Sequence, residues 1–302
     1  MAIEPKPETV DGYDADHTLA CERVLVTMLG AFGTLKSTIR LVGGLVPRYL
    51  TPEAPPDVPA HFGTSDVDVV LNLQVIAEGD GYDSLAAQLK ARKFERFTNA
   101  EGKVSKWRWL RQVSEHEYVL VEFLQGSTEA TPAGKVASVD GEAVSALAIN
   151  HADIVHDWYL EKELTVQLLD GAGYSTETVR YADVTAFIVL KALAFDDRGA
   201  SKDAGDLIHV LRYAGTPEAI AQQILAKMAS GLHAQAIDEG LRALERRFCD
   251  GDGVEGYLRN GSVAFATFHL GKDGDEDERI REQRYAAGLV TEILGLVRRA
   301  SS

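Results

Sequence analysis

Asp66-Val67-Asp68-Val69 sets two carboxylates two residues apart in an otherwise apolar run. On a β-strand successive side chains alternate faces, so Asp66 and Asp68 project from one face, roughly 6–7 Å apart. Like charges at that spacing repel by about 3 kcal/mol at an effective dielectric of about 20. The pair therefore calls for a counter-cation, and hard oxygen ligands of this kind suit Mg²⁺. Upstream, Leu41-Val42 runs into Gly43-Gly44. A turn without side chains lets backbone amides approach an anion such as a triphosphate. Glycine amides for phosphate and twin aspartates for metal are the minimum equipment of phosphoryl or nucleotidyl transfer.

The elements that must carry these groups follow from the pattern around them. Residues 17–37 have apolar positions at helical spacing, although Gly30 and Gly33 weaken the later turns. A strand over 39–42 leads into the glycine pair, and Leu45 to Leu50 suits a short helix whose N-terminus faces the same site. Four of the nine prolines fall between Pro52 and Pro59, so that stretch is a loop. The aspartate strand follows and ends near Leu73. Residues 117–124 (EYVLVEFL) alternate as a strand, with Tyr118, Leu120, Glu122 and Leu124 on one face. If that strand is central, Glu122 is an acid among apolar residues and needs a partner. If it is an edge, Glu122 lies in water.

Composition limits the partners. The chain has 302 residues, 45% of them apolar and 25% charged, with a formal net charge of −15. That charge argues against general coating of nucleic acid, where Lys and Arg supply the affinity. It leaves room for a local basic track or a cationic small-molecule substrate. Cys21 and Cys249 form neither a ligand cluster nor a disulfide framework. The acidic N-terminal stretch has no apolar core of a secretory signal, and no run approaches the roughly 20 apolar residues that span a bilayer. A cytoplasmic protein is expected, with no membrane partner.

Between Lys90 and Arg111, eight Lys or Arg stand against two acids, interleaved with Phe94, Phe97, Trp107 and Trp109. Behind a helix over 82–93, this stretch reads as strands over 94–98 and 103–112. It suits either a solvated amphipathic hairpin or a track for a phosphate-bearing acceptor, with aromatic faces for stacking. Residues 126–141 read as a loop with modest strand potential, and 163–169 with 176–181 as a hairpin. From there the pattern turns helical, with helices over 217–230, 233–248 and 276–299. The boundaries expected are a flexible tail over 1–16, one domain over 17–182 and a helical domain over 183–302. Lys191 is the only charge in 185–195 (TAFIVLKALAF), Arg198 follows two turns later, and Asp203 and Asp206 open the next helix at i, i+3. Lys191 either snorkels to water or faces an anion across a cleft, steadied by those aspartates. None of the eight histidines falls in a metal motif, and none is assigned a role.

Apolar-Gly43-Gly44 followed by Asp66-x-Asp68 resembles the signature of the DNA polymerase β-like nucleotidyltransferase superfamily. Lys191-x-Leu-Ala, Arg198 and Lys202-Asp203-x-x-Asp206-Leu resemble the C-terminal motifs of its AbiEii-type family, which includes toxins of toxin–antitoxin and phage-abortive systems. The resemblance covers about residues 38–215. It departs from the family at His61-Phe62-Gly63-Thr64-Ser65, where a basic residue is common, and in the longer loop from Gly44 to Asp66. It implies an α+β protein: a nucleotidyltransferase fold on a mixed β-sheet, with a C-terminal helical domain closing over the nucleotide. Asp66, Asp68 and Glu122 would hold one or two Mg²⁺, with Glu122 also a candidate general base. Gly43, Gly44, Thr64, Ser65, Lys191, Arg198, Asp203 and Asp206 would serve the NTP. The implied acceptor is RNA, a tRNA 3′ end, in a toxin with a cognate antitoxin. The net charge favours instead a small acceptor of the aminoglycoside or lincosamide kind. An inactive, nucleotidyltransferase-like binding protein is a third reading, against which the intact Asp66, Asp68 and Lys191 stand.

Overall fold

The computed structural model describes residues 6–73, 76, 85–138 and 144–301. It is an α+β structure, with a mixed sheet and a helical C-terminal part. The described residues divide into two compact units. One holds Lys6, 14–46 and 63–182; the other holds 7–13, 47–62 and 183–301.

The first unit is built on the sheet. Its strands are β1 (Arg40–Val42), β2 (Asp66–Val70), β3 (Phe94–Thr98), β4 (Val104–Gln112), β5 (Tyr118–Gly126), β6 (Val136–Ser138), β7 (Ser145–Ile149), β8 (Tyr159–Gln167) and β9 (Tyr174–Ala182). The main order is β3-β4-β5-β2-β1-β9-β8, and β7 pairs with both β5 and β6. β1 and β2 are antiparallel, whereas β2 and β5 are parallel, so a strand near the end of the first quarter of the chain lies beside one met about fifty residues later. The aspartates thus lie mid-sheet. Helix α1 (Ala15–Ala31) starts where the Asp14 side chain accepts from the Asp16 amide. Its Val24, Leu25, Met28 and Leu29 are buried, and it packs on β2, β5, β8 and β9. Val67 and Val69, which alternate with the aspartates, are fully buried. Helix α2 (Leu85–Ala91) falls within the stretch read as helical, whose residues 82–84 lie outside those described. The strand over 136–138 falls in the loop read as having modest strand potential, whereas that over 145–149 was not expected: Ser145–Ile149 is small and weakly patterned, and its strand form comes from parallel pairing with β5.

The second unit contains α3 (Val184–Arg198), α4 (Ser201–Tyr213), α5 (Pro217–Ser230), α6 (Ala234–Phe248), α7 (Asn260–Leu270) and α8 (Glu276–Ser301). Thr216 caps α5 through the Ala219 amide, with Pro217 at the first position. α4 and α7 approach closely at Gly205, where a Cβ would lie 2.5 Å from the Phe268 ring. Helix α7 escapes the sequence reading because it is apolar on nearly every side rather than in one stripe. No helix among the described residues is long and apolar enough to cross a membrane.

Two expectations about organisation change. Residues 6–16 are not a frayed tail: Val10–Gly12 forms a 3-10 turn, and Tyr13 stacks at 6.1 and 6.0 Å on Phe62 and Phe268. The proline-rich segment 47–62 clusters with the helical unit, not with the sheet that flanks it in sequence. Three polar and aromatic anchors hold it there. Thr51 Oγ1 meets His209 Nε2 at 3.0 Å, His61 Nε2 donates to Asp206 Oδ1 at 3.0 Å, and Phe62 packs 4.8 Å from Phe268. The expected change near 182 coincides in sequence with the step from Ala182 to Asp183 between the units.

Candidate metal centre

Strand β2 turns Asp66 and Asp68 to one face, and the parallel register with β5 sets Asp68 directly beside Glu122. One carboxylate oxygen from each of Asp66, Asp68 and Glu122 lies within 4.8 Å of the others. On the opposite side of β2, Val42 pairs with Asp68, and the chain turns at once into Gly43 at φ +75°. A Cβ at position 43 would stand 2.0 Å from Asp68 Oδ2, so the glycine is required twice, for its backbone and for its missing side chain. Gly43 and Gly44 form the 3-10 turn Gly43–Leu45 against this carboxylate.

Each member of the triad has a different environment. Asp66 is buried; Thr64 Oγ1 donates to its Oδ1 at 2.9 Å, and the Lys6 ammonium pairs with its Oδ2. Glu122 accepts from Arg108 Nε at 2.7 Å, its cross-strand partner on β4. Burial pushes the Asp68 carboxyl well above the ordinary carboxylate range, reinforced by the charges of Asp66 and Glu122 and by a hydrogen bond with Glu122. A group held up in this way is the one that a metal ion would relieve most. The all-oxygen donor set and the close grouping fit a hard divalent cation such as Mg²⁺.

Of the residues expected to serve the nucleotide, Thr64 spends its hydroxyl on Asp66, and the Ser65 carbonyl lies 3.2 Å from His17 Nε2. Lys6 and Arg108 are the members that the sequence reading missed. Arg108 stood in the basic run, but only the β4–β5 pairing shows that it faces Glu122. No sequence signal marks Lys6.

Lys191, Arg198, Asp203 and Asp206 come together in the second unit. Lys191 Nζ lies 2.8 Å from Asp203 Oδ1 and 2.7 Å from Asp206 Oδ2, with all three side chains buried. Arg198 grips Asp203 with two bonds of 2.6 and 2.8 Å, and Lys202 and His61 both reach Asp206 at 3.0 Å. Burial works to lower the Lys191 pKa, but the two aspartates override it and hold it above its usual value. Against the same burial, Lys191 and Arg198 hold Asp203 down at about 2. Lys191 therefore neither snorkels nor stands unengaged: it is the centre of a buried ion network.

His61 and His209 make that network sensitive to acid. Burial lowers His61 to about 4 and His209 to about 3, from the ordinary 6.5. Both are neutral in the fold but protonate in the unfolded chain below about pH 6.5. Stability is thus complete above that pH and falls as the pH drops towards 4. For His61 alone the loss between pH 7 and pH 4.5 should be roughly 2 kcal/mol. Urea denaturation across that range should show His61→Gln less stable than wild type at pH 7 yet with a shallower pH dependence. Equal slopes in both proteins would remove His61 as the titrating group.

The basic hairpin is partly committed to structure. Arg92 donates to the Gly30 carbonyl, Arg96 to the carbonyls of Ser105 and Lys106, and Arg111 pairs with Asp170. Arg108 lies 4.2 Å over the Trp107 ring. Lys103 and Lys106 remain exposed.

No family model matches this sequence, and no curated protein matches it. Among solved structures, that of JHP933 from Helicobacter pylori aligns over 96% of this chain and 96% of its own, at 12% identity and a TM-score of 0.38, a likeness too loose to assign a family.

Proposed function

We propose that this protein is a Mg²⁺-dependent nucleotidyltransferase that moves an NMP from an NTP to an acceptor hydroxyl. The observation that carries the reading is the convergence of Asp66, Asp68 and Glu122 beside a glycine turn that leaves room against Asp68. Asp66, Asp68 and Glu122 would hold the metal, with Thr64 fixing the orientation of Asp66. The metal would supply Lewis-acid polarisation of the α-phosphate and charge neutralisation for the leaving pyrophosphate. Glu122 is the group suited to take the proton of the acceptor hydroxyl as its oxygen bonds to the α-phosphorus and the α–β bridge breaks. The amides at Gly43 and Gly44 would face the phosphates. The resemblance stated above makes RNA, as a tRNA end, the first acceptor to test, in a toxin of a toxin–antitoxin pair.

A small, cationic acceptor is the second reading, and the net charge of −15 favours it. Incubation with Mg²⁺, each labelled NTP and either total tRNA or a panel of aminoglycosides and lincosamides tests both. A basic acceptor track sharpens the comparison. Arg108 belongs to the metal centre through Glu122, so the informative neutralisation is Lys103→Gln with Lys106→Gln. If RNA follows the hairpin, this variant should lose transfer to RNA and its salt slope should fall by about 2, one per phosphate contact. Transfer to a cationic acceptor should be unchanged. An unaltered salt slope for RNA transfer would remove the hairpin from acceptor binding.

A further inference from the structure

Lys6 is the least expected member of the metal centre. It is separated by sixty residues from Asp66, it belongs to the same compact unit, and its ammonium is in direct contact with Asp66 Oδ2. Asp66 is buried, with a side chain only 5% exposed, while that of Lys6 is 52% exposed. A buried carboxylate without a counter-charge is strongly unfavourable, and the Thr64 hydroxyl alone does not neutralise it. Among the described residues Arg108 also reaches the triad, and it is engaged with Glu122.

Building on the metal reading proposed above, we infer that Lys6 is the centre's internal counter-ion: its ammonium stands at Asp66 in place of a divalent cation, and loading of the metal expels it. The placement supports this: the ammonium occupies a carboxylate that would itself bind the ion, so amine and metal compete for Asp66. The half-exposed stem gives Lys6 a path to water when the ion arrives. A purely structural ion pair would instead persist beside the metal. Lys6 would thereby be coupled to the state of the centre, held on Asp66 without metal and released with it.

The test follows the amine directly and does not depend on turnover. The full chain is treated with an amine-acylating reagent in EDTA or in saturating Mg²⁺, and modification of Lys6 and Lys106 is read by peptide mass spectrometry. Lys6 should react at least about fivefold faster with Mg²⁺, since release from the Asp66 carboxylate frees the amine, on the scale of a partly exposed ion pair. Exposed Lys106 should not respond. In parallel, Mn²⁺ binding is measured by the loss of the free-ion electron paramagnetic resonance signal. Lys6→Met should bind about fivefold tighter than wild type, the scale of a partly exposed ion pair. If Mg²⁺ binds by calorimetry and Lys6 stays protected, the counter-ion role is overturned while the nucleotidyltransferase reading stands. If neither wild type nor Lys6→Met binds Mg²⁺ or Mn²⁺, both readings fall.

Discussion

Asp68→Asn is expected to abolish Mg²⁺-dependent stabilisation by NTP and to lower nucleotidyl transfer by more than about 100-fold, while raising the melting temperature in EDTA. The two effects have one cause. Without metal, Asp68 is the carboxyl that its neighbours destabilise, held well above the ordinary range by burial and by Asp66 and Glu122. Repulsion between two carboxylates at this range is worth about 3 kcal/mol at an effective dielectric of about 20, and Lys6 and Arg108 offset only part of it. Replacing one oxygen by an amide removes the charge, keeps the shape and allows donation to Glu122. With metal, the same change removes a ligand that no neighbour replaces, and a lost electrostatic contact at a reacting centre costs on the order of 100-fold or more. Melting curves in EDTA and in Mg²⁺ with NTP, together with a labelled-NTP transfer assay, check both halves. Normal ligand-dependent stabilisation and turnover in Asp68→Asn would end the metal assignment.

Lys191→Met should destabilise the second unit by about 3 kcal/mol. The methionine keeps most of the stem, so little packing is lost and the effect isolates the ammonium. Its removal leaves Asp203 to Arg198 and Asp206 to Lys202 and His61, with two buried carboxylate oxygens deprived of a contact at 2.7–2.8 Å. Adding Asp206→Asn should cost less on the Lys191→Met background than on wild type, because the pair between these two residues is already broken. Chemical denaturation of wild type, both single variants and the double variant measures this coupling. The ligand role expected from the sequence gives a different pattern: unchanged stability and weakened NTP affinity. A Lys191→Met protein as stable as wild type would therefore reinstate Lys191 as a candidate for the triphosphate.

Local chemistry was legible wherever one short period decides it. The alternation of a strand puts Asp66 and Asp68 on one face whatever the rest of the chain does, and the glycine pair announces a turn whose amides are open to close approach. The apolar run around Lys191 marks a cation that must either reach water or meet an anion. The helices with one apolar stripe and a polar cap, such as α5, were likewise readable from spacing alone. What those groups face was not readable, because it depends on which distant segments pair. Glu122 becomes the third carboxylate only through the parallel register of β2 with β5, and Arg108 reaches it only because β4 lies on the other edge of β5. Lys6 carries no local mark at all: a lone lysine between prolines acquires a role only when folding brings it to a buried acid. The segment 47–62 reads as part of the domain that surrounds it, yet Thr51, His61 and Phe62 tie it to α4 and α7. Lys191 shows the division within one residue. The sequence by itself determined that a lone charge in an apolar helix must be compensated, by water at its head or by an anion; only the tertiary structure decided that Asp203 and Asp206 supply the compensation, because the close approach of two helices satisfies the charge before any ligand arrives.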